Sequence, residues 1–133
     1  VATLNQLRTG LATNLRTISG LRVYEEIPDN PQFPAAIVVL NSADYDRNFG
    51  GMTLYNFQIQ VIVGRAAERS AQRALDLYIE PEGSSSIKAG VESNRTMSGI
   101  AQDTYLANMP NIGSVIINDV TYLAADFLVA VYA

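Results

Sequence analysis

The sequence predicts an α+β fold: an antiparallel or mixed β-sheet of two hairpins, with an N-terminal helix and a central helix pair packed on it. Three observations carry that expectation. Leucines recur at helical spacing from Leu4 onward, two long segments alternate at strand period, and a second amphipathic helical stretch lies between them. The order helix, strands, helix pair, strands is that of a sheet whose helices share one face. A chain of 133 residues fits one domain, residues 1–133.

Leu4, Leu7, Leu11, Leu15 and Ile18 step by three and four and draw one apolar stripe. Thr3 is placed to cap this helix and Gly20 to end it. Gly10 inside it implies a bend, the close approach of another backbone, or simply a tolerated surface glycine. Leu21 to Tyr24 reads as a short strand. Pro28, Pro31 and Pro34 then fix a stiff, extended connection. Ala35 to Ser42 is an almost unbroken apolar run, expected to be a strand buried on both faces.

After the polar tip DYDRNFGG, Met52 to Val63 alternates, with Tyr55, Phe57, Ile59, Val61 and Val63 on one face and Asn56, Gln58 and Gln60 on the other. The two strands form a predicted antiparallel hairpin. From about Glu68 to Ile79 a helix turns Ala71, Ala74, Leu75, Tyr78 and Ile79 inward, and Pro81 stops it. Ser84, Ser85 and Ser86 cap a short third helix anchored by Ile87 and Val91. Asp103 to Asn108 is a further strand, and Val115 to Ile117 turns at Asn118-Asp119 into a long strand from Val120 to Tyr132.

Composition narrows function. Hydrophobic residues make up 48% and charged residues 17%, which excludes a disordered chain and leaves surface that copies or partners would cover. There is no cysteine, hence no disulfide framework or thiolate metal site. No basic leader precedes an apolar run, and nothing approaches the roughly 20 apolar residues of a membrane span. Net charge is −4 with a single lysine, Lys88, so no basic patch offers a grip on nucleic acid.

The chain has no histidine, and with it goes the usual base of nucleophilic triads. No catalytic residue, cofactor site or metal site is expected. Ser85 and Lys88 match an S-x-x-K spacing, but helix capping explains the serines and the companion motifs are missing. Asp44, Asp46 and Asn48 alternate like the opening of a calcium loop; Phe49 and Tyr55 then stand where the loop requires Gly and Glu. Glu25 and Glu26, and Glu80 and Glu82, read as solvated loop charges. Asp126, the one charge in YLAADFLVAVY, is expected to point outward or toward a subunit neighbour.

The leucine-striped first helix, the lead into PAAIVVL, the long amphipathic strand, AQRALDLYIEPEGSSSIKAGVE and the closing GSVIINDVTYLAADFLVAVYA together resemble the tail terminator proteins of long-tailed bacteriophages. The resemblance spans nearly the whole chain and is strongest from Ala71 to Glu92. It implies a virion protein of the neck end of the tail, assembled in the bacterial cytoplasm as a hexameric ring. Such a ring caps the tail tube, ends its polymerisation and meets the head-to-tail connector or stopper protein. DNA would pass through its lumen without specific binding, and no membrane is involved. Six copies at −4 each carry −24, which suits a conduit that does not grip its cargo.

For contacts with such partners the sequence singles out the tip, Asp44, Tyr45, Asp46, Arg47, Asn48, Phe49, Gly50 and Gly51, with Glu82 and Ser84 in the following turn as a second patch. Aromatic residues on a polar tip concentrate binding energy. The alternatives are another neck subunit, of stopper or head-completion type, a small acidic monomeric inhibitor, and a carboxylate enzyme needing a concave site.

Overall fold

The computed structural model describes residues 3–18, 21–25, 34–45, 53–65, 69–97, 99–117 and 119–133. Helix α1 (Leu4–Leu15) opens with a capping box: the Thr3 hydroxyl accepts from the Gln6 amide while the Gln6 side chain accepts from the Thr3 amide. Leu7, Leu11 and Leu15 are buried without residue, so the leucine stripe is the core face. Strand β1 (Arg22–Tyr24) pairs parallel with β2 (Ala35–Asp44), and the Arg22 amide donates to the carbonyl of Pro34.

β2 and β3 (Leu54–Arg65) form the expected antiparallel hairpin, and β5 (Val120–Tyr132) pairs antiparallel with the other side of β3. β4 (Asp103–Ile117) closes the order β1-β2-β3-β5-β4. The sheet is therefore mixed and open, with β1 and β4 at its edges. Between β3 and β4 the chain forms α2 (Arg69–Ile79), α3 (Ile87–Val91) and a 3-10 turn, Glu92–Asn94.

One core lies between the helices and one sheet face. Phe57, Ile59, Val61 and Val63 of β3 meet Phe127, Val129 and Val131 of β5 and the buried sides of all three helices. The alternation of β3 thus points as its sequence predicts. Ile37, Ile62 and Ala124 build a second, smaller apolar cluster with Tyr24, Val39, Val115 and Tyr122 packed on it. Register places Ile62 opposite Ala124, out of phase with the core-facing Val61 and Val63, so this cluster occupies the other face.

Four expectations need correction. Asp103 to Asn108 and Val115 to Ile117 belong to one continuous strand; Pro110 is tolerated because β4 is an edge strand and its register shifts twice, between Leu106 and Asn111. β2 is buried on both faces only from Ala35 to Val38, since its second half runs out beyond the core. Glu25 is half-buried with its Oε1 enclosed, not a solvated loop charge. At Gly10 the neighbour is a side chain, that of Met97, whose Sδ lies 2.8 Å from where a Cβ would stand.

Candidate functional site

The β2–β3 tip begins where the strand pairing ends. Asp44, the last residue of β2, pairs with Leu54, and its carboxylate accepts from the Asn56 amide at 3.4 Å; the same amide donates to the Ser42 hydroxyl at 2.9 Å. Tyr45 projects with 73% of its surface exposed. Asp46, Arg47, Asn48, Phe49, Gly50 and Gly51 lie outside the described residues, as do Glu26 and the prolines Pro28 and Pro31. At this end of the sheet Thr53 and Ala133 exchange backbone hydrogen bonds of 2.9 and 3.0 Å, and the Gln102 amide donates to the Tyr132 carbonyl.

Glu82 and Ser84 are exposed on the turn between α2 and α3, where Gly83 takes a φ of 119° that favours glycine. Among the described residues no hydrogen bond or ion pair joins them to Asp44 or Tyr45, so the two predicted patches stand as separate surfaces. The neighbouring Ser86 is the N-cap of α3: its hydroxyl accepts from the Ala89 amide at 3.2 Å and donates to the carbonyl of Glu80. That capping role, and the pairing of Lys88 Nζ with Glu92 at 2.5 Å, occupy the S-x-x-K stretch structurally.

Register sets the geometry of the whole surface. Leu54 and Asp103 both lie opposite Tyr132, which puts the β2–β3 tip and the start of β4 at one end of the sheet. Ile117 pairs with Val120, and Arg65 with Tyr122, so the β4–β5 hairpin leaves from the opposite end. Sequence reasoning missed two large apolar side chains there, Ile112 at 56% and Ile116 at 73% exposure. Their alternation with Asn111, Gly113 and Val115 was readable as a strand pattern, but the intervening Pro110 and glycine masked it.

On the helix-free face Asp126 lies across from Gln60 and Asn111 and borders a shallow groove of about 100 Å³ with Ser114 and Val115. A second groove, about 280 Å³, is lined by Asp76, Ile79, Glu80 and Pro81. Both are smaller than the pockets that enclose a small-molecule ligand. Among the described residues no cluster of three or more acidic side chains could hold a metal ion, and no helix is long and apolar enough to cross a membrane.

An ion pair and a hydrogen bond tie the turn after α3 to β4. Glu92 binds Lys88 and, at 3.5 Å, Arg95, and its Oε2 accepts from the Leu106 amide at the strand irregularity. Arg95 forks onto Asp103 at 2.8 and 3.0 Å. That fork raises the pKa of the guanidinium and holds the Asp103 carboxyl below its usual range. Asn14, unremarkable within the leucine helix, is 4% exposed and donates to the carbonyls of Val91 and Asn94 at 3.1 and 2.9 Å, capping the end of the α3 segment from another helix.

No protein-family model matches the chain, and no curated protein does. Among solved structures it is similar to a chain of a virion of a native gene transfer agent particle, with 18% identity, a TM-score of 0.34, and coverage of 99% of this chain and 92% of that one.

Proposed function

We propose that the chain is a structural subunit of a phage-like virion. It assembles as a hexameric ring on the end of a tail tube, ends tube polymerisation, and joins the tail to the head-to-tail connector; it is not an enzyme. The observation that carries this reading is the placement of the sheet's free surfaces. Hairpins leave from opposite ends, one with exposed Tyr45 just past the end of β2 and the other flanked by Ile112 and Ile116, while β4 is an edge strand running between them. A ring subunit needs such an arrangement: two ends for unlike axial partners and flanks for its neighbours.

The sequence resemblance from Ala71 to Glu92 supports the same reading, since the segment folds as a helix, a break and a Ser-capped second helix. An open sheet also separates the chain from β-barrel neck proteins. The test has two parts. Light scattering of the purified chain should report an assembly of six, and electron microscopy of particles lacking it should show tails of uncontrolled length without heads. Normal-length tails in its absence would refute termination. A strict monomer that leaves particle assembly unchanged would favour an inhibitor.

A further inference from the structure

α2 carries its charges in an order that its own helix disfavours. Arg69 and Arg73 occupy its first half and Asp76 and Glu80 its end; no acidic residue lies in the first turn and no basic residue in the last. The helix macrodipole favours the reverse arrangement. Arg69 and Arg73 are also like-charged neighbours four residues apart, as are Asp76 and Glu80, and such spacing is repulsive. All four side chains are exposed, and among the described residues none of them enters an ion pair. Glu80 remains part of the helical stripe because its amide still donates to the Asp76 carbonyl at 3.1 Å. At about 3.6 residues per turn, the four charges fall within roughly 60° of arc. Gln72 and the 57% exposed Leu77 flank them.

Read backward, Arg, Arg, Asp, Glu is its own electrostatic complement. We propose that α2 pairs antiparallel with α2 of a second copy of this chain about a two-fold axis. The level midway between Ala74 and Leu75 is equidistant from Arg73 and Asp76, and equidistant from Arg69 and Glu80. An axis there sets Arg73 opposite the second copy's Asp76 and Arg69 opposite its Glu80, in both directions at once. The two repulsive pairs of each helix are then neutralised by those of its partner. The groove bordered by Asp76, Ile79, Glu80 and Pro81 receives the incoming Arg69, whose planar fork suits a carboxylate. Leu77 of both copies falls on one side of the seam and adds apolar contact.

Three helical turns cover much less than the roughly 800 Å² per partner of a stable interface. The contact is therefore weak by itself, sensitive to salt, and suited to joining copies already held close. It is also isologous, whereas the neighbours of a hexameric ring meet through unlike patches. The pairing of α2 and the ring reading therefore stand or fall separately.

The test is a charge swap in the full-length chain, read by sedimentation equilibrium at low and high salt with circular dichroism as the folding control. R69E/R73E and D76R/E80R should each weaken the salt-sensitive association at least tenfold. Mixed in equal amounts, the two should recover it as a heterodimer, identified by native mass spectrometry. The fourfold variant R69E/R73E/D76R/E80R restores self-complementarity with the dipole now satisfied, and should associate as well as the parent; it serves as the decisive case if either double variant fails to fold. Absence of salt-sensitive association in the parent chain, a change of less than twofold in the reversals, or failure of both the mixture and the fourfold variant to recover pairing would each overturn the proposal.

Discussion

Replacing Gly10 by Ala sets two opposed effects against each other. In an open helix interior the change stabilises by about 1 kcal/mol, because Gly is a poor helix former. In α1 the new Cβ would stand 2.8 Å from Met97 Sδ, 3.1 Å from its Cβ and 3.2 Å from its Cγ. The sulfur could swing away by rotation. The Cγ can withdraw only by leaving its χ1 rotamer and the Cβ only if the backbone moves, and Met97 is 3% exposed with a φ of 51°, already in the left-handed region. Overpacking of this kind costs about 1–3 kcal/mol, more than the propensity gain, so G10A should lose about 1 kcal/mol net. The assay is urea unfolding of the four proteins of a double-mutant cycle with Met97→Ala. Removing the Met97 sulfur and Cγ leaves room for the remaining Cβ to give way, so G10A should turn stabilising in that background, with a coupling of about 1–2 kcal/mol. A G10A protein more stable than its parent, or an equal effect in both backgrounds, would sink the close-contact explanation.

Asn14→Leu keeps the branched heavy-atom outline but removes the amide that donates twice to the end of the α3 segment, and should cost about 1–3 kcal/mol in urea unfolding, with faster amide exchange from Ile87 to Asn94. Thr104 is fully buried and its hydroxyl has no hydrogen-bond partner among the described residues, so Thr104→Val should hold or raise stability by about 1 kcal/mol; a clear loss would mean the hydroxyl is satisfied. The Arg95 fork depresses the Asp103 pKa below its ordinary 3.8, so its contribution is present above that value and is lost as pH falls through the lower folded value. Unfolding midpoints of the parent and Asp103→Asn should therefore differ at neutral pH and converge in acid, and a gap that persists at about pH 2 would contradict the linkage.

Elements that repeat a pattern over several turns or residues are legible in the sequence. α1, β3 and α2 each bury one face at their own period, and Ser86 was among the serines read as a cap. What failed had partners far away in sequence. Asn14 looks like any polar residue of a helix, because its acceptors lie 77 and 80 residues downstream. β4 looked broken because Pro110 forbids a central strand, and only its position at the edge makes it acceptable. The second apolar cluster was hidden because Ile62 shares its phase with Gln58 and Gln60, which reads as the wet face until Ile37 and Ala124 arrive from neighbouring strands. Of the predicted contact residues, the structure describes Asp44, Tyr45, Glu82 and Ser84, all exposed.

The two ends of the sheet differ in chemistry, and this difference leads to a last prediction. Toward the β2–β3 tip the helix-free face is polar, with Asn56 holding Ser42 and Asp44. Toward the other end it is closed by Ile37, Ile62 and Ala124. Ile112 and Ile116 stand near that apolar end but do not belong to its cluster: Ile112 pairs with Ala125, a member of the main core, so register puts the two isoleucines on the helix-bearing side, where both remain more than half exposed. Exposed side chains of this kind contribute little to folding, and Ile112→Ser with Ile116→Ser should leave unfolding stability within about 0.5 kcal/mol per site. Exposed isoleucines placed for a partner should instead show their effect in assembly, as a loss of light-scattering mass or of particle completion. Unchanged stability with unchanged assembly would remove this end of the sheet from the contact surfaces. A stability loss above about 2 kcal/mol would show that the pair packs within the chain.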